Sequence, residues 1–279
     1  MKEKMQPGKL VPRYAVPWLL SALVWQLGLY FLAKLLTDGR FHYDLSISLD
    51  DKIPFVPFFM LIYWGAYFSW GINYILAARE NRDHCRRCIT ADMIAKALCF
   101  VIFLLLPTTI ARPEADGSGF IGWLTRIIYM ADTPVTLFPS IHCLDSWLCW
   151  RFLVKCKKVP RWYKWVNFVF SLLVCASTVL VKQHVFVDIF AGIAVAELGL
   201  LLSRRVWDSL ETVRNMKNAA ALLEEYSMKR IISFFLCVLM TAALLAGCGD
   251  RKQRTTWIIA VDGDFSPFVC ADANGKAVG

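Results

Sequence analysis

The sequence predicts an all-α polytopic membrane helix bundle with six transmembrane helices, followed by an extra apolar helix and a short tail. Three observations carry this. Of the 279 residues 57% are hydrophobic and the mean hydropathy is +0.48, too apolar for a soluble domain of this length. Six apolar stretches, most near the ~20 residues that cross a bilayer, precede residue 205. The basic residues gather beside alternate ends of those stretches, as the positive-inside rule requires.

The stretches run over residues 17–36, 54–77, 91–110, 142–154, 163–181 and 185–203. The fourth is short and interrupted by Asp145 and Arg151, but six spans need it. Lys2, Lys4, Lys9 and Arg13 precede the first stretch; Arg79, Arg82, Arg86 and Arg87 follow the second; Arg151, Lys155, Lys157, Lys158, Arg161 and Lys164 follow the fourth. These segments are therefore expected in the cytoplasm. The connections 37–53 and 111–141 carry Asp38, Asp44, Asp50, Asp51, Glu114, Asp116 and Asp132 with few basic residues, and are expected outside. Topology thus explains the net charge of +9, and a nucleic-acid partner is not expected.

Ten cysteines do not imply a disulfide framework, because Cys99, Cys149, Cys175 and Cys237 lie in apolar runs where a thiol acts as a small hydrophobe. The segment His84-Cys85-Arg86-Arg87-Cys88 contains one C-x-x-C, yet a structural zinc needs four ligands and no second pair lies nearby. No cofactor is expected. His42 and His84 read as loop residues. Asp145 reads as a tuning partner of the nearby His142 or as a snorkelling interfacial carboxylate. Trp18, Trp25, Tyr30, Tyr63, Trp64, Trp70, Trp162 and Trp165 read as interfacial anchors.

The chain divides into a cytoplasmic N-terminus (1–16), the six-span unit (17–203), a polar, alanine-rich helical linker (204–227), a segment resembling a lipoprotein signal peptide (228–248) and a tail (249–279). In the signal-like segment Met228-Lys229-Arg230 opens an apolar run that closes on Leu245-Ala246-Gly247-Cys248, making Cys248 the lipid-accepting candidate. A seventh transmembrane helix is the other reading. The tail, with Trp257 to Phe268 and then Asn274-Gly275-Lys276, resembles the opening strand and hairpin of periplasmic amino-acid-binding proteins. Some thirty residues cannot build the two lobes such receptors close around a ligand.

The chemistry concentrates in two patterns. Phe138-Pro139-Ser140-Ile141-His142 enters the fourth span, and Ser177 to Asp188, with Lys182, Gln183 and His184 between, crosses the junction of the fifth and sixth. From a cytoplasmic N-terminus, Arg112, His142 and His184 converge on the outer face. An imidazole is a nucleophile at neutral pH when one nitrogen is held as N–H and the other lone pair is free. Asp188, four positions after His184, is the acceptor for that N–H, on the expectation that both share a helix face.

These patterns resemble the type 2 phosphatidic acid phosphatase superfamily, with its Arg-Pro, Pro-Ser-x-His and Ser-x6-His-x3-Asp elements in this order, over roughly residues 45–200. The likeness is greatest to its bacterial members and to the branch of sphingomyelin and inositol phosphorylceramide synthases. The resemblance implies a six-helix membrane bundle, a lipid phosphate substrate and metal-free chemistry. It makes His184 the nucleophile that becomes phosphohistidine and His142 the acid, then base, on the alcohol and the water. Arg112, with Ser140 and Ser177, would hold phosphate. Two positions depart from the pattern: Leu105 stands where the family has lysine, and Thr178 where it has arginine. Lys182, one turn beyond Thr178, is the candidate substitute, although an ammonium does not reproduce a bidentate fork. Ile141 replaces the usual glycine, as in the phosphotransferase branch.

Three functions follow as expectations. The first is a lipid phosphatase of a bacterial inner membrane, multi-pass, with its site facing the periplasm. The second is a phosphotransferase to an alcohol. The third is a non-catalytic scaffold or transporter-associated protein that lost charges at positions 105 and 178.

Overall fold

A computed structural model describes residues 10–113, 119–246, 270–271 and 277–278. It divides into two units, Met1–Thr212 and Val213–Gly279.

Helix α1 (Val16–Thr37) starts on a proline in its first turn, where the missing N–H costs nothing. It packs along α4, burying only Ala22, Ala33 and Thr37, while Leu23, Val24, Phe31 and Leu35 are exposed as in a lipid-facing helix. The connection after α1 forms a two-residue strand β1 (Tyr43–Asp44), a short helix α2 (Ser48–Lys52) and a 3-10 turn at Pro57–Phe59, leading into α3 (Met60–Ala78). Helix α4 (Arg82–Leu105) is capped by Asn81, whose side chain accepts from His84 N. The cap starts this helix nine residues before the expected span, so His84, Arg86 and Arg87 lie on its first turns rather than in a loop.

After α4, strand β2 (Thr108–Thr109) pairs in parallel with β1, Tyr43 opposite Thr108. A further helix, α5 (Gly119–Ala131), lies within the connection 111–141. Helices α6 (Ile141–Val154), α7 (Arg161–Leu180) and α8 (Phe186–Ala246) complete the order. The expected sixth span, the polar linker and most of the signal-like segment thus fall within α8. Cys248 and residues 257–268 lie outside the described residues. In the second unit, β3 (Cys270–Ala271) pairs antiparallel with β4 (Ala277–Val278).

Among the described residues, four helices are long and apolar enough to cross a membrane: α1, α4, α7 and α8 through Asn218. The other two predicted spans are α3, which exposes Phe68 and Ile72, and α6. Helix α6 has 14 residues, roughly 21 Å at 1.5 Å per residue, shorter than the ~30 Å hydrocarbon layer. It packs chiefly against α7 and α3, and Leu144, Leu148 and Leu153 are fully buried, so its shortness is screened from lipid. The chain is therefore an all-α, multi-pass membrane bundle with α6 near its centre.

Two glycines set the approach of α8. A Cβ on Gly192 would lie 2.6 Å from Ser140 O, and one on Gly199 would lie 2.8 Å from Ala91 O. Small residues of this kind let membrane helices meet backbone to backbone.

One turn beneath His142, Asp145 is buried rather than interfacial. Lys96 Nζ lies 2.7 Å from Asp92 Oδ1 and 3.3 Å from Asp145 Oδ1, and Tyr74 donates to Asp92 at 2.7 Å. The snorkelling reading of Asp145 fails because α4 supplies a buried cation that the sequence does not place beside it.

Candidate active site

The turn between α7 and α8 presents His184. Gln183 N and His184 N both donate to Thr178 O, at 2.9 and 3.1 Å, while Val181 N donates to Ser177 O. Lys182 takes a positive φ of 54°, a conformation few L-residues adopt, and so turns the chain sharply into His184. Helix α8 begins only at Phe186. His184 Nδ1 nevertheless lies 2.9 Å from Asp188 Oδ2, which also accepts from Val185 N at 3.3 Å. The expected pairing is present, but by a different route. Asp188 caps the first turn of α8 and holds an imidazole from the preceding turn, rather than sharing a helix face with it.

His142 stands on the first turn of α6, behind Ser140, the N-cap whose Oγ accepts from Cys143 N. Its ring stacks on Tyr63, with centroids 4.2 Å apart and planes 24° apart. Tyr63 Oη lies 3.3 Å from His142 Nδ1, and Tyr67 Oη lies 3.0 Å from Nε2. Trp70 closes the third side and donates to Ser146 Oγ. Tyr63 and Trp70 were expected as interfacial anchors. Instead they form one face of α3 with Tyr67, at the four- and three-residue spacing that places side chains in line.

The two imidazoles are 6.0 Å apart, centroid to centroid, and both line a cavity of about 220 Å³ with Tyr30, Tyr67, Asp132 and Ile141. Both are buried, at 8% and 6% exposure. Ser140 N donates to Asp188 O at 3.3 Å, so the starts of α6 and α8, and hence the two histidines, are tied directly.

The remaining candidates are placed less uniformly. Arg112 donates to Asp132 O and to Gln183 Oε1, and its guanidinium lies 5.0 Å from the Tyr129 ring centroid. It therefore buttresses the His184 turn from behind Gln183, and its Nε is buried without a hydrogen-bond partner among the described residues. Ser177 Oγ donates within its own helix to Val174 O. The Lys182 ammonium donates to Asp50 O at 2.8 Å, and neither Lys182 nor Arg112 is among the residues lining the cavity. Thr178 is fully buried, and Leu105 is 76% exposed at the end of α4.

Several site residues were not anticipated. Asp50 accepts from Ile47 N at 2.9 Å with one oxygen and from Phe186 N at 2.7 Å with the other, joining the connection between α1 and α3 to the start of α8. Val56 N donates to Leu180 O beside it. Asp132 enters the cavity held by Tyr30, with Lys34 Nζ 3.9 Å away. Helix α5 covers this end, with Leu124 and Ile128 packed beside Met60, Tyr63 and Val181. Among the described residues no group of three His, Cys, Asp or Glu side chains is placed to hold a metal ion.

A multi-pass helical membrane protein with two buried histidines facing one cavity is the class that fold and site define. A sequence model of the PAP2 superfamily matches residues 35–202, a span that contains both histidines, Asp188 and Arg112, and the chain belongs to that superfamily. Membership supports lipid-phosphatase-type activity in general and, at that level, hydrolysis of phosphoric esters in a membrane. No curated protein and no solved structure matches the chain.

Proposed function

We propose that the protein hydrolyses lipid phosphomonoesters or diphosphates through a phosphohistidine on His184. The observation that carries the reading is the Nδ1 bond to Asp188 in a ring that lines the same cavity as His142. With Nδ1 held as N–H, the Nε2 lone pair attacks phosphorus. The P–O bond to the lipid alcohol breaks as protonated His142 gives that oxygen its proton. Neutral His142 then takes a proton from water as its oxygen attacks phosphorus, the P–N bond breaks, and His184 is regenerated. Proton transfer of this kind contributes about 10²–10⁴-fold.

Arg112 is the proposed phosphate cation, its Nε being the buried donor left without a partner, and Ser140 positions His142. The basic segments gathered at the other end of the bundle favour a site on the outer face of a bacterial inner membrane.

Transfer to an alcohol is the second reading, favoured by Ile141, an apolar side chain in the cavity wall where an acceptor other than water would pack. The test is phosphate release by the full chain in vesicles over a panel of lipid phosphates, with and without acceptor alcohols. Release that His184→Ala abolishes supports hydrolysis. New phosphodiesters formed only with an alcohol support transfer. Equal release by wild type and His184→Ala contradicts both.

A further inference from the structure

The helices that carry His142 and Asp188 also build a second cavity at their opposite ends. It is lined by Arg87 of α4, Arg151 and Lys155 at the end of α6, and Arg204 of α8, over a floor that includes Phe152 and Leu200. Arg151 lies nine residues past His142 and Arg204 sixteen past Asp188, roughly 14 and 24 Å along their helices. The cavity measures about 100 Å³, several times the space one water needs.

Its charges are unevenly matched. Arg87 is held by Asp208 at 3.5 Å and Glu211 at 2.6 Å, and Arg151 by Glu197 at 2.6 Å. No carboxylate is within 4 Å of Lys155 or Arg204 among the described residues. The two remaining polar side chains of the wall are already engaged: His84 Nε2 is 3.0 Å from Phe152 O, and Ser203 Oγ donates to Arg87 O. An anion entering here meets two uncompensated cations and two arginines held from elsewhere.

The floor distinguishes between anions. Val154, which lines the cavity, is 41% exposed, so the apolar part of its wall reaches the lipid-facing surface. A free phosphate leaves that path empty; a phospholipid fills it with its acyl chains. We propose that this cavity binds the phosphate headgroup of an anionic phospholipid, in the leaflet opposite the catalytic cavity. Basic pockets between membrane helices recognise headgroups by this combination of charge and apolar wall, and the bound lipid stabilises the packing of α4, α6 and α8 by mass action.

The test compares thermal unfolding of the full chain in nanodiscs of phosphatidylcholine alone and with phosphatidylglycerol. Wild type, Lys155→Gln/Arg204→Gln and the charge-conserving Lys155→Arg/Arg204→Lys are measured, and inorganic phosphate is added to wild type in detergent. The expected result is a rise in unfolding temperature with phosphatidylglycerol in wild type and the charge-conserving variant. The neutral variant should lose most of it, and inorganic phosphate should not reproduce it. An equal rise in the neutral variant overturns the site; a matching rise with inorganic phosphate overturns the lipid assignment. Neither outcome depends on turnover at His184.

Discussion

His184 and Asp188 are joined across the boundary between a turn and a helix, with Nδ1 2.9 Å from Oδ2, although α8 begins only at Phe186. Asp188 therefore orients the imidazole and caps α8 with the same carboxylate oxygen. Asp188→Asn retains the size but presents an amide where an acceptor is needed. Loss of the orienting carboxylate in such pairs costs about 10⁴-fold. A fall in kcat of about 10³–10⁴-fold is expected, with an unfolding temperature within a few degrees of wild type. Phosphate release and a thermal melt on the same preparation check both halves.

Tyr63 and Tyr67 hold His142 from two sides. Tyr67→Phe removes the hydroxyl at Nε2 and leaves the ring. A loss of roughly tenfold in kcat is expected, from a hydrogen bond worth about 0.5–1.5 kcal/mol, with KM little changed. Because both tyrosines act on one ring, the losses in Tyr63→Phe and Tyr67→Phe should not add in the double variant.

Gly192 and Gly71 make a matched pair of controls. A Cβ at 192 meets Ser140 O at 2.6 Å, whereas one at 71 meets nothing within 4 Å. Gly192→Ala should destabilise by about 1–3 kcal/mol through overpacking and should lower turnover by shifting α6 against α8. Gly71→Ala should leave both unchanged. Unfolding and activity of the two variants, measured side by side, decide this.

The buried group of Asp92, Lys96 and Asp145 predicts a asymmetry between partial and complete removal. Lys96→Met leaves two buried carboxylates without their cation, and breaking a buried pair this way costs about 3–5 kcal/mol. Asp92→Asn/Lys96→Met/Asp145→Asn removes the charges together and should recover much of that loss. Denaturant unfolding of the two variants measures it.

Lys182 tests the phosphate clamp. With its ammonium on Asp50 O, Lys182→Met should change KM by less than about threefold, a binding difference below ~1 kcal/mol. Arg112→Lys should cost far more, because an ammonium cannot replace two guanidinium donors at once. A KM change for Lys182→Met as large as that for Arg112→Lys would place Lys182 at the phosphate.

Much of the fold was legible because membrane helices reveal themselves through local hydropathy, and all six predicted stretches contain a helix. The two histidine patterns were legible for the same reason, being short and contiguous. What could not be read is set by distant partners. Asp50 looked like one acid in an acidic connection, yet it receives Phe186 N from 136 positions away. Tyr63 and Trp70 have the composition of interfacial anchors, and only the position of α6 turns them onto His142. Asp145 read as a partner of His142 or an interfacial carboxylate because its cation, Lys96, sits on another helix. Helix α5 was within reach of sequence reading, since Ile121, Leu124 and Ile128 recur at helical spacing in the connection 111–141.

The most direct test is to trap the covalent intermediate. The full chain in vesicles with a lipid labelled in its phosphate, quenched rapidly during turnover, should carry acid-labile label that peptide mapping places on His184 and that Asp188→Asn reduces. Label that persists in a His184→Ala variant, or wild-type turnover with no histidine-bound phosphate on rapid quench, would contradict nucleophilic catalysis by His184.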